Sequence, residues 1–280
     1  MPDPGLYEAI LRRTSVRRYD DRPLPAETRQ QVQGLIAAIK PLTTEGTFGL
    51  IQRDGVSGQG LAAVLGFYGR LLGAPHCLIP HLVGGDWPLV ELGFRMEQLA
   101  VGLMRLGLGS CFLGVLGDES AAISHWNLPT EARVGAVLIY GQPAQGADRA
   151  LGNLMRMAIR SDQRLPWEQL FFAEDFKSAT PPARLQPVLE AGRWAPSARN
   201  AQPWRWLWDG DALTLFVTSH NRRYGRLTDY ALFDGGLCMA NMSLAMEALG
   251  IEGAWQMIGP TDAAPAHPDD LAPLARLTLA

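Results

Sequence analysis

The chain has 280 residues, 47% of them hydrophobic and 19% charged, with a formal net charge of −3 at pH 7. That balance suits a globular protein with a sizeable core, and with no block of basic charge it excludes nucleic acid as the main partner. The cysteines Cys77, Cys111 and Cys238 lie far apart in apolar contexts, without Cys-x-x-Cys or Cys/His spacing, which excludes a disulfide framework and a zinc site and fits free thiols in a reducing cytoplasm.

In chain order, "MPDPGLYEAI" is acidic and lacks an apolar run, so no signal peptide is expected. Charge or glycine breaks every apolar stretch within about 18 residues, so no membrane span is expected either. "GLYEAILRR" reads as a short helix. "LPAETRQQVQGLIAAIK" opens with proline and spaces its apolar residues as an amphipathic helix does. "GLAAVLGFYGRLL" reads as a further helix running into a buried strand, "GAPHCLIPHLVG". A long helix, "LVELGFRMEQLAVGLMRLGLG", precedes a short strand, "SCFLGVL". A helix at "DESAAISHW" and a strand at "RVGAVLIYG" follow.

The rest of the chain repeats this order. "PPARLQPVLEAGRW" reads as a helix opened by prolines, and "WRWLW" and "ALTLFVT" alternate like paired strands. "LFDGGLCMANMSLAMEALGIEGAWQM" reads as a long helix turning into a strand, and "LARLTLA" as a last strand. Setting Glu91 against Asp234 without a gap brings Gly93 onto Gly236, Met96 onto Met239, Leu106-Gly107 onto Leu249-Gly250 and Phe112 onto Trp255. The Leu-Gly pairs suit helix ends, where glycine takes the left-handed conformation. Asp234 reads as the N-terminal cap of its helix. An internal duplication is expected, with a first half at 1–145, a linker or strap at 146–166 and a second half at 167–280.

Two polar stretches stand out. In "RRTSVRRYDD", an extended backbone puts Arg13, Ser15 and Arg17 on one side, as an exposed wall of guanidinium and hydroxyl groups suited to phosphate or carbonyl oxygens. The same pattern also describes a solvated basic turn. In "WAPSARNAQPW", Pro196 stops the preceding helix, and Ser197, Asn200 and Gln202 space donors and acceptors along a loop. Such a loop either reads the edge of a heteroaromatic ligand or caps itself.

"RRTSVRRYDDRPLP" resembles the Arg-x-Ser-x-Arg-x-[Phe/Tyr] motif of the FMN-dependent nitroreductase family, "APSARNAQPW" its Ala-Pro-Ser-x-x-Asn-x-Gln-Pro-Trp loop, and "GLGSCFLG" its Gly-Leu-Gly-[Ser/Thr]-Cys-Trp-[Ile/Leu]-Gly segment. The resemblance covers the chain from about residue 6 onward. It implies an α+β nitroreductase-like fold, FMN as cofactor, NAD(P)H as electron donor and a small-molecule electron acceptor such as a nitroaromatic or quinone. Family members carry both motifs near the start of one chain and act as homodimers. Here "IKPLTTEGTF" stands where the first half should carry the loop, and "FFAEDFKSA" where the second should carry the arginines. The resemblance therefore implies two fused, diverged half-copies folding as a monomeric pseudo-dimer, with the helices 89–106 and 231–249 at a pseudo-twofold axis and one FMN site kept.

Carried over by this resemblance, Arg13, Thr14 and Ser15 bind the FMN phosphate or ribityl chain, and Arg17 approaches the N1/O2 end of the ring. Pro196, Ser197, Ala198 and Asn200 contact the ring from the second half. Arg70 stands where the family often has a basic residue near the pyrimidine edge, or is a surface arginine. Leu113 and Gly114 offer backbone toward flavin N5, or belong to a plain buried strand. Arg164 in "QRLP" closes over the phosphate, with Arg160 a weaker candidate. No catalytic side chain and no metal ligand is implied, and the five histidines read as structural. A flavin-binding protein without turnover is the alternative.

Overall fold

The computed structural model describes residues 2–55, 61–64, 74–115, 119–145, 162–174, 176–218 and 228–279. The chain divides into two units, one of residues 12–162 and one of residues 1–11 with 163–280. Helix α1 (Pro4–Arg12) thus belongs, up to its last residue, with the later part of the chain. Asp3 N–H donates to Ala248 O at 2.9 Å and the Tyr7 hydroxyl to Pro187 O at 2.9 Å, which ties it there.

The unit of residues 12–162 contains α2 (Ala26–Ala37), β1 (Thr47–Asp54), β2 (His76–Val83), α3 (Pro88–Arg105), β3 (Gly109–Gly114), α4 (Glu119–Trp126) and β4 (Ala136–Gly141). Its strands form one antiparallel sheet in the order β1-β2-β4-β3. The central strands are apolar runs because both of their faces are covered. On one face Cys77, Ile79, Cys111, Leu113, Val137 and Ile139 join a core with Leu128 and Val134. On the other, Leu78, Leu138 and Tyr140 meet Val32 of α2 and Met96, Leu99, Ala100 and Leu103 of α3. The two-residue period of a strand divides the sequence between these faces, and each fully buried Leu or Ile contributes about 1.5–3 kcal/mol. Strand β1 was not foreseen, because "TFGLIQRD" lacks alternation. Of the helix expected over residues 60–72, the described part, 61–64, is helical.

In the other unit a 3-10 turn (Trp167–Gln169) leads to β5 (Phe171–Ala173), β6 (Lys177–Ser178), α5 (Gln186–Arg193), β7 (Trp204–Trp208), β8 (Ala212–Thr218), α6 (Thr228–Leu249), β9 (Gly253–Met257) and β10 (Leu271–Leu279). Helix α5 begins at Gln186, with Pro187 in its first turn, so Pro181 and Pro182 precede the helix rather than open it. The sheet order is β6-β5-β7-β8-β10-β9, antiparallel except where β5 runs parallel to β7.

The order β7-β8-β10-β9 repeats β1-β2-β4-β3, with a long helix after the second strand in each case. The helix ends repeat as well. Leu108 N–H donates to Leu103 O and Ile251 N–H to Met246 O, both at 2.9 Å. The glycines before them are left-handed, with φ +74° at Gly107 and +68° at Gly250, so both helices end in the same capping motif. The fold is α+β, in two tandem half-copies.

Candidate functional site

Arg13 to Asp20 are laid along the sheet of their own unit. Ser15 bridges Ser110 of β3 in parallel, and Val16 N–H donates to Ser110 O at 2.8 Å. Further on, Asp20 N–H donates to Gln142 O at 2.8 Å and Ala144 N–H to Arg18 O at 3.0 Å. Tyr19 is buried, and its hydroxyl donates to Val16 O at 2.5 Å, closing the bend. Gly109 makes the close approach possible, since a Cβ there would lie 2.6 Å from Val16 Cγ2. The glycine of "GLGS" thus serves the arginine segment.

Arg13 is 4% exposed and Arg17 7%, so the exposed wall expected from the alternation is instead a buried one. Thr14 and Ser15 are half-buried. Arg13 Nε stands 3.1 Å from Oε1 of the buried Glu97 in α3. Burial pushes the Glu97 carboxyl up to about 7, although the Arg13 cation beside it acts in the opposite direction. Among the described residues, Nη1 of Arg13 has no hydrogen-bond partner. The charges of Arg17 and Arg13 and the Ser15 hydroxyl converge on the Cys111 thiol, whose pKa burial raises and they lower. Leu113 is 1% exposed, so its side chain belongs to the core and only its backbone can serve a ligand. Gly114 is exposed at the end of β3. Arg70 and Arg160 lie outside the described residues.

The second polar stretch belongs to the other unit. Helix α5 stops at Arg193, Ser197 is extended (φ −148°, ψ 157°), and Ala198–Asn200 make a 3-10 turn. Arg199, Asn200 and Gln202 have φ of 51°, 59° and 49°. Asn tolerates that region, whereas Arg and Gln enter it only when surrounding contacts compel them. Gln202 N–H donates to Ser197 Oγ at 2.9 Å, and Ala198 N–H to Asp234 Oδ2 at 2.9 Å. The Gln202 side chain accepts from Leu165 N–H at 2.8 Å, while Asn200 Nδ2 donates to Gln163 O at 2.9 Å. Arg164 donates to Asn200 Oδ1 at 3.3 Å and lies 4.5 Å over the Trp194 ring. The loop therefore caps itself and stitches down residues 163–165. Ser197, accepting here, still has its own hydroxyl proton to donate.

Asp234 is not a helix cap. Helix α6 starts at Thr228, and Asp234 stands a turn and a half inside it, 3% exposed, with its carboxyl group turned to the loop. Burial raises this carboxyl well above the usual carboxylate range. Sequence reasoning also passed over Glu97. The signal was an acidic residue in a largely apolar helix, where its side chain is fully buried. His76 has Nδ1 2.6 Å from Asp54 Oδ1 and stacks on Tyr140, within the sheet. Among the described residues no cluster of metal-ligating side chains occurs, and no helix is long and apolar enough to cross a membrane.

Residues 5–246 match the family model described as "Putative TM nitroreductase". Of solved structures, a Thermotoga maritima protein described as a "putative nitroreductase" is similar over 98% of this chain and 93% of its own, at 19% identity and a TM-score of 0.59. An FMN-dependent nitroreductase from Clostridium difficile aligns with 49% of this chain and 87% of its own, at 16% identity and a TM-score of 0.41. No curated protein matches the chain. With the family model spanning most of its length, this chain belongs to the TM nitroreductase family.

Proposed function

We propose that the chain is an FMN-dependent oxidoreductase that draws on NAD(P)H and reduces a small acceptor such as a nitroaromatic or a quinone. Family membership supports the oxidoreductase class, and the two motifs support flavin. The observation that carries the reading is the Arg13 guanidinium, buried and cationic, with an Nη1 donor that has no acceptor among the described residues. A buried donor left so costs about 1–3 kcal/mol, and a phosphate or ribityl oxygen is the acceptor it suits.

In this reading Arg13, Thr14 and Ser15 hold the phosphate and ribityl chain. Arg17 stands near the pyrimidine carbonyls, where a fixed cation offsets the negative charge that reduction adds. Pro196, Ser197, Ala198 and Asn200 shape the loop that meets the ring, with Arg164 held against Asn200 and Trp194. Leu113 and Gly114 contribute backbone, and Arg70 rests on the resemblance alone. When bound, FMN supplies hydride chemistry, accepting from the nicotinamide and donating to the second substrate in alternation. The protein's part is to bind, orient and stabilise charge.

Titration of the apoprotein with FMN, followed by flavin fluorescence, tests the binding. One FMN per chain is expected, because each motif occurs once. Anaerobic NADH or NADPH should then bleach the visible flavin band, and a quinone or nitroaromatic should restore it. Absence of FMN binding sinks the proposal; binding without bleaching by either nucleotide identifies a flavin protein without turnover.

A further inference from the structure

We propose that Asp234 is the positioning residue of the 196–202 loop: from inside α6 its carboxyl group takes the Ala198 N–H and so fixes where Ser197 and Asn200 present their polar groups. The inference rests on the flavin reading above, and it assigns Ala198 a different task within it. The Ala198 N–H points inward to the helix and is not available to a ligand.

Three observations carry it. The bond is 2.9 Å long and its acceptor is 3% exposed, so water does not readily replace the carboxyl group if it is removed. The loop it holds contains three left-handed residues that are not glycine, and two of them, Arg199 and Gln202, keep that conformation only under external constraint. Finally, the other unit uses the same device. With Pro41 set on Pro196, Thr43 falls on Ala198, and Thr43 N–H donates to Glu91 Oε2 at 2.9 Å. Glu91 is the residue that aligns with Asp234.

The two copies differ in what the carboxyl group holds. Glu91 accepts also from Leu42 N–H at 3.1 Å and pairs with Arg95, so it is strongly supported. Its loop carries Leu42 and Glu45 at the places of Ser197 and Asn200. The bond from a helix carboxyl group to the loop occurs in both halves, whereas Ser197 and Asn200 stand in one. Asp234 therefore acts through the backbone of the loop and does not itself need to touch flavin.

The test uses the full-length protein and FMN as probe. Asp234→Leu removes the acceptor at similar volume. Ala198→Pro removes the donor, and suits its place because Ser197 is already extended and residue 198 opens the turn. Each should weaken FMN binding at least about tenfold, the worth of a buried hydrogen bond, and the double variant should be no more than about twofold worse than either. Asp234→Asn keeps an acceptor oxygen and should stay within about threefold of wild type. Ala198→Pro leaves the buried helix untouched and carries the test alone if Asp234→Leu does not fold. A folded Asp234→Leu or Ala198→Pro with wild-type FMN affinity overturns the inference.

Hydrogen exchange without FMN separates this failure from failure of the flavin reading. The amides of Asn200, Ala201 and Gln202, bonded to Ser197 O, Ala198 O and Ser197 Oγ, should exchange slowly in wild type and Asp234→Asn. They should exchange at least about tenfold faster in Asp234→Leu and Ala198→Pro. Unchanged exchange refutes the positioning role whether or not FMN binds.

Discussion

Arg13 and Glu97 stand 3.1 Å apart, Nε to Oε1, with both side chains buried. The pair joins the arginine segment to the helix under the sheet. Its two members differ in how firmly they hold charge: a guanidinium stays cationic in proteins, whereas burial lifts the Glu97 carboxyl to about 7.

This gives stability a definite slope with pH. Between the ordinary value of 4.5 and about 7, the folded chain keeps the Glu97 proton and the unfolded chain has released it. The folded state binds more protons there, so stability falls as pH rises through that window and the loss is complete above it. The shift corresponds to about 3 kcal/mol. Glu97→Gln should remove this contribution. Urea midpoints for wild type and variant at steps from pH 4.5 to 8 should converge or diverge accordingly, and parallel profiles would refute the assignment.

Arg13→Met leaves Glu97 buried without its cation. The carboxyl then holds its proton more firmly, and ionising it costs more. The variant should lose about 3–5 kcal/mol at pH 8 and less at pH 5. Arg13→Met/Glu97→Met should recover most of the loss, since an apolar pair of similar volume replaces a buried ion pair at little net cost. That double variant then separates binding from folding. FMN added in excess should raise the Tm of wild type and leave the Tm of the double variant unchanged.

Gln202 tests the strap. Its buried side chain accepts from Leu165 N–H at 2.8 Å and donates toward Gln163 O at 3.3 Å. Gln202→Leu removes both bonds and leaves the Leu165 amide unanswered, at about 1–3 kcal/mol. Limited proteolysis should show faster cleavage at Arg164 in the variant. Equal cleavage rates would mean that Arg193, which donates to Leu165 O at 3.0 Å, suffices to hold the strap.

Much of this architecture was legible in the sequence because it follows from local pattern. The runs at Cys77–Leu82 and Ala136–Tyr140 read as strands, and the Leu-Gly pairs at 106–107 and 249–250 as helix ends. The motifs marked the arginine segment and the loop before any coordinates. What was missed depends on contacts far apart in the chain. "TFGLIQRD" becomes β1 only through pairing with β2, and β5 only by lying parallel to β7. Asp234 looked like a cap because "DGG" resembles a helix start; only the position of Ala198, 36 residues earlier, shows its use. Arg17 looked exposed because alternation tells which residues share a side, not which side is covered.

The contact between Gly109 and Val16 offers a test of how the arginine segment is seated. A Cβ on Gly109 would lie 2.6 and 2.7 Å from Val16 Cγ2 and Cβ, and Cβ is not the far end of a flexible chain. Gly109→Ala must therefore push the segment off β3, straining the Val16 N–H bond to Ser110 O. Overpacking of this kind costs about 1–3 kcal/mol. Val16→Gly opens the space, so Gly109→Ala should cost measurably less in the Val16→Gly background than in wild type. The displacement reaches Arg13 and Arg17 through the backbone, so Gly109→Ala should also weaken FMN binding although residue 109 bears no polar group. Urea melts of the four proteins measure the coupling, and additive losses would show that the segment is seated by something other than this contact.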